Sequence, residues 1–345
     1  MTVGSSGSFD ELRSRLYLTR IQGKRPASVK KDYLKIGQGA YLLVAREWSA
    51  WKRREMIHLA RILWQSLVSP DSVMVLESAA AVWGLPLSEA TGLVHLSTPP
   101  TAGRSSTELR PLPGEHGAPG RIIRHSMRLE ESDVTIVEGI RVCTLERLIL
   151  DMGRMRSPRA AIVVIDAALG RLCNASKFRP EATRSRAEEI RAQLLERLGS
   201  MTRFPGVRRA RELVRFADPL AESPKESELR WVILALGLPS PQTQFPVPIH
   251  ENDSIFFLDL WIKELGVGFE FDGMMKYDGD DAKQRLLNEK QRYLSLRAAG
   301  FPVHQIVNDN IRTNAALRVT LEKTLGREVL AQYRPRPLLL EPGLV

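Results

Sequence analysis

Cysteine is almost absent from the sequence: Cys143 and Cys173 are its two in 345 residues. They lie far apart and form neither a disulfide framework nor a Cys-x-x-Cys metal site, so both are expected to be structural. Long apolar runs are missing too. No stretch approaches the roughly 18 consecutive apolar residues of a membrane span, and the opening MTVGSSGSFDELR lacks the apolar core of a secretory signal. These two absences predict a cytoplasmic protein with no membrane partner. The histidines, His58, His95, His116, His125, His250 and His304, are scattered, with no His-x-x-x-His pair to hold zinc. Neither a phosphate-binding P-loop nor a Gly-x-Ser-x-Gly elbow occurs. Residues 61–220 therefore carry no assignable catalytic constellation and are expected to bind rather than react.

What the sequence does have is apolar residues enough for a core, 43% of the chain, and length enough for two or three domains. It also has an excess of positive charge, +10 in all. Residues 1–60 and 151–220 each carry a net +7, whereas 61–150 and 221–345 each carry −2. One basic block contains KRPASVKK and WKRRE; the other runs from Arg154 to GVRRARELVR, with Arg208, Arg209 and Arg211. Such blocks suit phosphate contacts and point to nucleic acid, although a solvated helix face reads the same way.

Periodicity divides the chain further. Residues 9–17 suit a short helix capped by Ser8, and a basic turn and the strand-like GAYLLVA follow, an order compatible with a small winged helix or a disordered arm. Residues 49–67 place Met56, Leu59, Ala60, Leu63 and Leu67 on one helical face. A short helix is expected at LESAAAVWGLPL, short strands between Leu93 and Val142, and helices again from TLERLILDMGR to RAEEIRAQLLERL. The Pro-rich tail YRPRPLLLEPGLV is expected to be poorly ordered. The predicted segments are 1–60, 61–220, 221–325 and 326–345.

The last third carries the chemistry. SPKESELRWVILALGL starts a helix, with Ser223 as N-cap, Pro224 in the first turn and Glu226 three residues past the cap. Strands follow at QTQFPVP, SIFFLDLWI and VGFEF, then a helix from about Asp281 to Ala299 and a strand at PVHQIV, giving the order α-β-β-β-α-β. With KELG as a tight turn, Lys263 faces Gly266 and Asp259 lies opposite Glu270. Phe257, Asp259, Trp261, Gly268, Glu270 and Asp272 then share one face; Leu258, Leu260, Ile262, Val267, Phe269 and Phe271 form the core face.

Two carboxylates about 5 Å apart at Cβ destabilise a strand pair, by roughly 3 kcal/mol at an effective dielectric near 20. A divalent cation such as Mg²⁺ or Mn²⁺ on Asp259 and Glu270 reverses that sign; so does a neighbouring Arg or Lys. Glu226 points inward on its helix and either completes the acid set or serves only as a capping residue, with Glu228 its substitute. Lys276 either approaches a scissile phosphate or is a solvated loop lysine.

These residues resemble a known family. Glu226, Asp259 and EFDG in an α-β-β-β-α-β frame are similar to the PD-(D/E)xK nuclease core, within it to the very-short-patch-repair (Vsr-like) endonucleases. FLDLWIKELGVGFEFDGMMKY and EKQRYLSLRAAGFPV, with Glu289, Arg292, Leu296 and Gly300, carry the likeness over residues 221–311. It implies an α+β multidomain protein with a restriction-endonuclease-like C-terminal core. It further implies catalytic Asp259, Glu270, Asp272, Lys276 and Glu226, metal on Asp259 and Glu270, and DNA contacts from Lys290 and Arg292. The E-x-K lysine of that family is Asp272 here, and the arginine of its last strand is Gln305. Upstream, GQGAYLLV, LESAAAVWGLPL and GIRVCTLERLILDMGR resemble AbiEi-type antitoxin proteins of type IV toxin-antitoxin systems, which implies a cognate toxin as partner. The two functions expected are a Mg²⁺-dependent DNA endonuclease and a non-catalytic DNA-binding antitoxin or regulator.

Overall fold

The computed structural model describes residues 6–24, 32–88, 92–99, 103–109, 111–112, 119–249, 254–272 and 282–344; the side chains of Ser6, Ser254, Asp272 and 282–289 lie outside that description. The chain is an α+β protein of two compact units, Met1–Asp151 and Met152–Val345. No helix among the described residues is long and apolar enough to cross a membrane.

The first unit opens with α1 (Ser6–Arg15), β1 (Leu16–Leu18), α2 (Thr19–Gln22), β2 (Tyr33–Gly37) and β3 (Ala40–Leu43). The helix begins ahead of the expected cap, Ser8, and ends where Leu16 enters a three-stranded antiparallel sheet of order β1-β3-β2. Next comes α3 (Ala50–Val68), capped by the Ser49 side chain, which accepts from Lys52 N at 3.2 Å. Its predicted stripe is buried at Met56, Leu59, Ala60 and Leu63, but Leu67 is 46% exposed, one turn past the packed region.

The rest of the first unit is β4 (Val73–Met74), α4 (Leu76–Val82), β5 (Leu93–Thr98), β6 (Ser105–Glu108), β7 (Arg121–Ser126), β8 (Val134–Val137) and β9 (Ile140–Cys143). These strands form a mixed sheet of order β6-β7-β5-β4-β9-β8. α5 (Leu145–Met155) follows, and its Arg147 sits between the buried carboxylates of Asp133 and Asp151, at 2.7 and 2.6 Å. A buried guanidinium with two acids is the arrangement that makes such burial tolerable.

In the second unit α6 (Pro158–Cys173), α7 (Pro180–Ser200), α8 (Val207–Phe216) and α9 (Pro224–Ala235) precede a sheet of β10 (Gln242–Ile249), β11 (Ser254–Ile262), β12 (Val267–Asp272) and β13 (Val303–Val307). α10 (Ala282–Ala298) crosses from β12 to β13, and this pair is parallel; the other pairings are antiparallel. The C-terminal elements are α11 (Asn314–Leu325) and α12 (Arg327–Ala331). The α-β-β-β-α-β order predicted from the sequence is thus present. A buried Arg230–Asp166 pair ties α9 to α6, and Asp166 also accepts from Asp218 N at 2.8 Å.

The tail is not loose, as its composition suggested. Leu339 and Leu344 are buried, Arg336 N donates to Ala235 O at 2.8 Å, and Trp231 Nε1 donates to Leu339 O at 2.9 Å. Prolines prevent helix and strand here, yet apolar side chains and carbonyls still bind it to α9.

Candidate functional site

The hairpin register follows the sequence. Leu260 pairs with Phe269, Trp261 with Gly268 and Ile262 with Val267, and continuing it by one step sets Asp259 across from Glu270. The turn differs in detail: Lys263–Leu265 form a 3₁₀ turn, closed by Gly266 in the left-handed region with its N–H on Lys263 O at 3.2 Å.

The faces do not alternate through the whole strand. Leu258, Leu260, Ile262, Val267 and Phe269 are buried as expected, but Trp261 is buried too. It shares a core cluster with Leu258, Val247, Ile249, Leu296 and Val303. On the neighbouring strand, between the pairs Thr243↔Leu260 and Phe245↔Leu258, Gln244 has φ +51°, a backbone conformation unusual for a residue with a side chain. Such strain clusters at functional sites.

Gln244 is buried, and its amide reaches two acids. Nε2 donates to Glu226 Oε2 at 3.3 Å and approaches Asp259 Oδ1 at 3.5 Å. Asp259 Oδ2 accepts from Phe271 N at 2.8 Å. Glu226, whose N–H is capped by Ser223 at 3.2 Å, accepts from Glu222 N at 3.0 Å. Ser223 caps the helix as expected, whereas the Glu226 side chain turns to the N–H of Glu222, one residue ahead of the cap, and to Gln244 beside Asp259. Burial, then the charge of Asp259, pushes the Glu226 carboxyl up to about 7. Burial raises Asp259 too, opposed by the Phe271 N–H, the Arg292 charge and Gln244. An acid raised by burial and by a neighbouring carboxylate is relieved by a proton or by a cation.

Glu270 has a different partner. Arg292 of α10 donates through Nη2 to Glu270 Oε1 at 2.5 Å and to Phe257 O at 2.6 Å. The repulsion expected between Asp259 and Glu270 is thus met on each side separately, by an arginine for one acid and an amide and a main-chain N–H for the other. Glu228 lies elsewhere, buried against Arg159 at 2.6 Å and Lys225 at 3.1 Å. Asp272 pairs through its backbone with Val307; its side chain, and all of Lys276, lie outside the described residues.

A lysine reaches this region from the turn before α7. Lys177 Nζ meets Glu222 Oε2 at 2.9 Å and stands 5.4 Å from the centre of the Phe257 ring. Phe178, 77% exposed, packs edge-on against the same ring at 5.6 Å. Nothing in local sequence links Lys177 to a strand 80 residues on, and Gln244 follows Gln242 and Thr243 in the polar start of β10, so its type alone did not single it out.

Of the predicted DNA contacts, Arg208 and Lys290 are exposed. Arg209 is half-buried and committed, donating to Gly153 O at 3.2 Å and Arg154 O at 2.6 Å, and so caps the end of α5. Arg211 is half-buried with its Nε unpartnered.

Among the described residues no three His, Cys, Asp or Glu side chains converge as a metal-holding group. The donor chemistry of Glu226 and Asp259 nevertheless suits a hard divalent cation, since one is a buried and the other a half-buried carboxylate, and their charges oppose one another.

The chain is 29% identical over 245 residues, 70% of its length and 76% of theirs, to two proteins of Mycobacterium tuberculosis. These are Uncharacterized protein MT2308 (strain CDC 1551 / Oshkosh) and Uncharacterized protein Rv2248 (strain ATCC 25618 / H37Rv). No family profile and no solved structure matches it.

Proposed function

We propose that the second unit is a metal-dependent phosphodiesterase of the PD-(D/E)xK, Vsr-like type acting on DNA. The observation that carries this reading is the buried Glu226 beside the half-buried Asp259, bridged by Gln244 at a strained point of β10. A bound Mg²⁺ or Mn²⁺ would polarise a phosphodiester and lower the pKa of a bound water. Such an ion would be held by Glu226 and Asp259, with Glu270 of the adjoining strand as an expected donor. Gln244 bridges the buried Glu226 and the half-buried Asp259, and the Phe271 N–H orients Asp259. Asp272 stands where the family carries its E-x-K lysine, with Lys276 as the nearby replacement, and Lys177 adds a cation beside β11. The test is nicking of supercoiled plasmid by the full chain with Mg²⁺ or Mn²⁺, against the same protein in chelator. No cleavage under any of these conditions defeats the reading.

One observation favours a second function. Arg292 occupies Glu270, as a fixed structural pair would, and a domain so arranged serves as a non-catalytic DNA-binding regulator of the antitoxin type, with a cognate toxin as partner. Both readings require phosphate contacts, and these are tested first at Arg208. Replacing it with Ala is expected to lower the slope of log affinity for duplex DNA against log salt by about one. Arg209→Ala instead removes a helix cap, so its effect is expected in stability. No DNA binding at low salt removes nucleic acid from both readings.

A further inference from the structure

The turn between α6 and α7 holds an aromatic ring out into solvent. Phe178 is 77% exposed, more than any other large apolar side chain among the described residues. Its backbone is nevertheless fixed. Arg179 N donates to Ser176 O at 3.0 Å and Thr183 N to Arg179 O at 3.0 Å. The buried Thr183 hydroxyl accepts from Ser176 N at 3.1 Å and donates to Ser176 O at 3.3 Å. The ring meets that of Phe257 at 85°. An edge-to-face pair covers at most one face of either ring, so Phe178 keeps a flat face open.

What surrounds this ring is charged in a particular way. Lys177 Nζ lies 5.4 Å from the centre of the Phe257 ring and pairs with Glu222, whose N–H donates to Glu226. Phe257 itself precedes Asp259 by two residues on β11. Close to these acids a phosphate is repelled, whereas an uncharged aromatic base is not. The segment that carries Phe178 is positive. Residues 177–186, KFRPEATRSR, set Lys177, Arg179, Arg184 and Arg186 against Glu181 alone. Arg179, Arg184 and Arg186 are exposed and make no ion pair among the described residues.

We propose that Phe178 is a stacking platform for an unpaired nucleobase, with the phosphates that flank this base held by the exposed arginines beside it. The inference rests on the nucleic-acid part of the function proposed above, not on the metal, and names the form of the strand at this point. In a double helix the faces of each base are covered by its neighbours, so a lone exposed ring takes a base only where the stack is open. Stacking of this kind tolerates any sequence, since every base has a π-face.

The experiment measures binding of the full chain by fluorescence anisotropy, in chelator, to three labelled probes. They are an oligothymidylate, an abasic strand of the same length with the same phosphates, and a blunt duplex. The wild type is expected to bind oligothymidylate about tenfold more tightly than the abasic strand. Phe178→Ala is expected to bind the two strands equally, and Phe178→Trp to keep the preference. A stack carries no charge, so the slope of log affinity against log salt stays at the wild-type value in Phe178→Ala. In Arg179→Ala it is expected to fall by about 0.7 on single strands. A preference for bases that survives in Phe178→Ala overturns the platform. So does a wild type that binds duplex but makes no distinction between the two strands, which leaves the nucleic-acid reading standing. Binding of none of the three probes at low salt overturns both. A wild-type dimer in sedimentation that Phe178→Ala dissociates gives the ring to a second copy of the chain, and overturns the platform as well.

Discussion

Glu226→Gln is expected to make the metal-free protein more stable above pH 7, and at the same time to abolish stabilisation by Mn²⁺ and any cleavage. Burial, with Asp259 second, raises the Glu226 carboxyl to about 7, whereas an unfolded glutamate titrates near 4.5. Between those values the folded chain binds more protons than the unfolded one. Stability from this group is therefore full below pH 4.5, falls as pH rises to 7, and is flat beyond. A shift of that size corresponds to about 3 kcal/mol, which the glutamine does not lose, because its side-chain oxygen can still accept from Glu222 N. Glu270→Gln is expected to behave in the opposite way without metal, costing about 1 kcal/mol because a part-exposed arginine loses its acid. Both variants lose the Mn²⁺ response, since a ligand that binds only the folded state stabilises by mass action and both remove a donor. Urea unfolding at pH 5 and pH 8, with and without millimolar Mn²⁺, separates these effects. A wild type indifferent to Mn²⁺ rules out the metal site. A Glu226→Gln protein less stable than the wild type at pH 8 rules out the repelling pair.

That contrast between Glu226 on α9 and Glu270 on β12 marks where the sequence can be read and where it cannot. The register of β11 against β12 was legible because a strand has period two and the connection is short, so few pairings keep Leu260 and Phe269 buried together. The start of α9 was legible for a similarly local reason, Ser-Pro-x-Glu at a helix N-terminus. The partner of Glu270 was not. Arg292 comes from a helix 22 residues on, and which of its faces meets the sheet is fixed by Leu296 and Tyr293 packing against Trp261 and Phe301, none of which is adjacent in sequence. Glu226 and Asp259 as the coupled pair depended in turn on Gln244, whose left-handed backbone breaks an alternation that local pattern continues straight through. The tail shows the same limit: proline content predicted looseness, but order came from Trp231 and Arg336, through contacts with carbonyls about a hundred residues away in the chain.

Acidification is expected to loosen the first unit through His58. This residue, on α3, is 8% exposed, and neither ring nitrogen has a hydrogen-bond partner. Burial, aided by the charge of Arg61 and opposed by that of Glu77, lowers its pKa to about 4, against 6.5 for an ordinary histidine. The unfolded chain therefore binds the extra proton between those values. Stability from this group is full above pH 6.5 and is lost as pH falls toward 4, by about 3 kcal/mol over the window. His58→Leu fills similar space with no polar atom to bury. It is expected to flatten that dependence and, because a buried unsatisfied imidazole is removed, to add about 1 kcal/mol at pH 7. His95 and His125, in contact through ring nitrogens 3.0 Å apart and with Glu77 at 3.4 Å from His95, are left in place by the substitution. Hydrogen exchange at the amides of α3, measured at pH 7 and pH 4.5 in both proteins, isolates the effect from the second unit. If protection in His58→Leu falls as steeply with acid as in the wild type, the proton goes to the His95–His125 pair, and His58 is only a tolerated polar ring in the core.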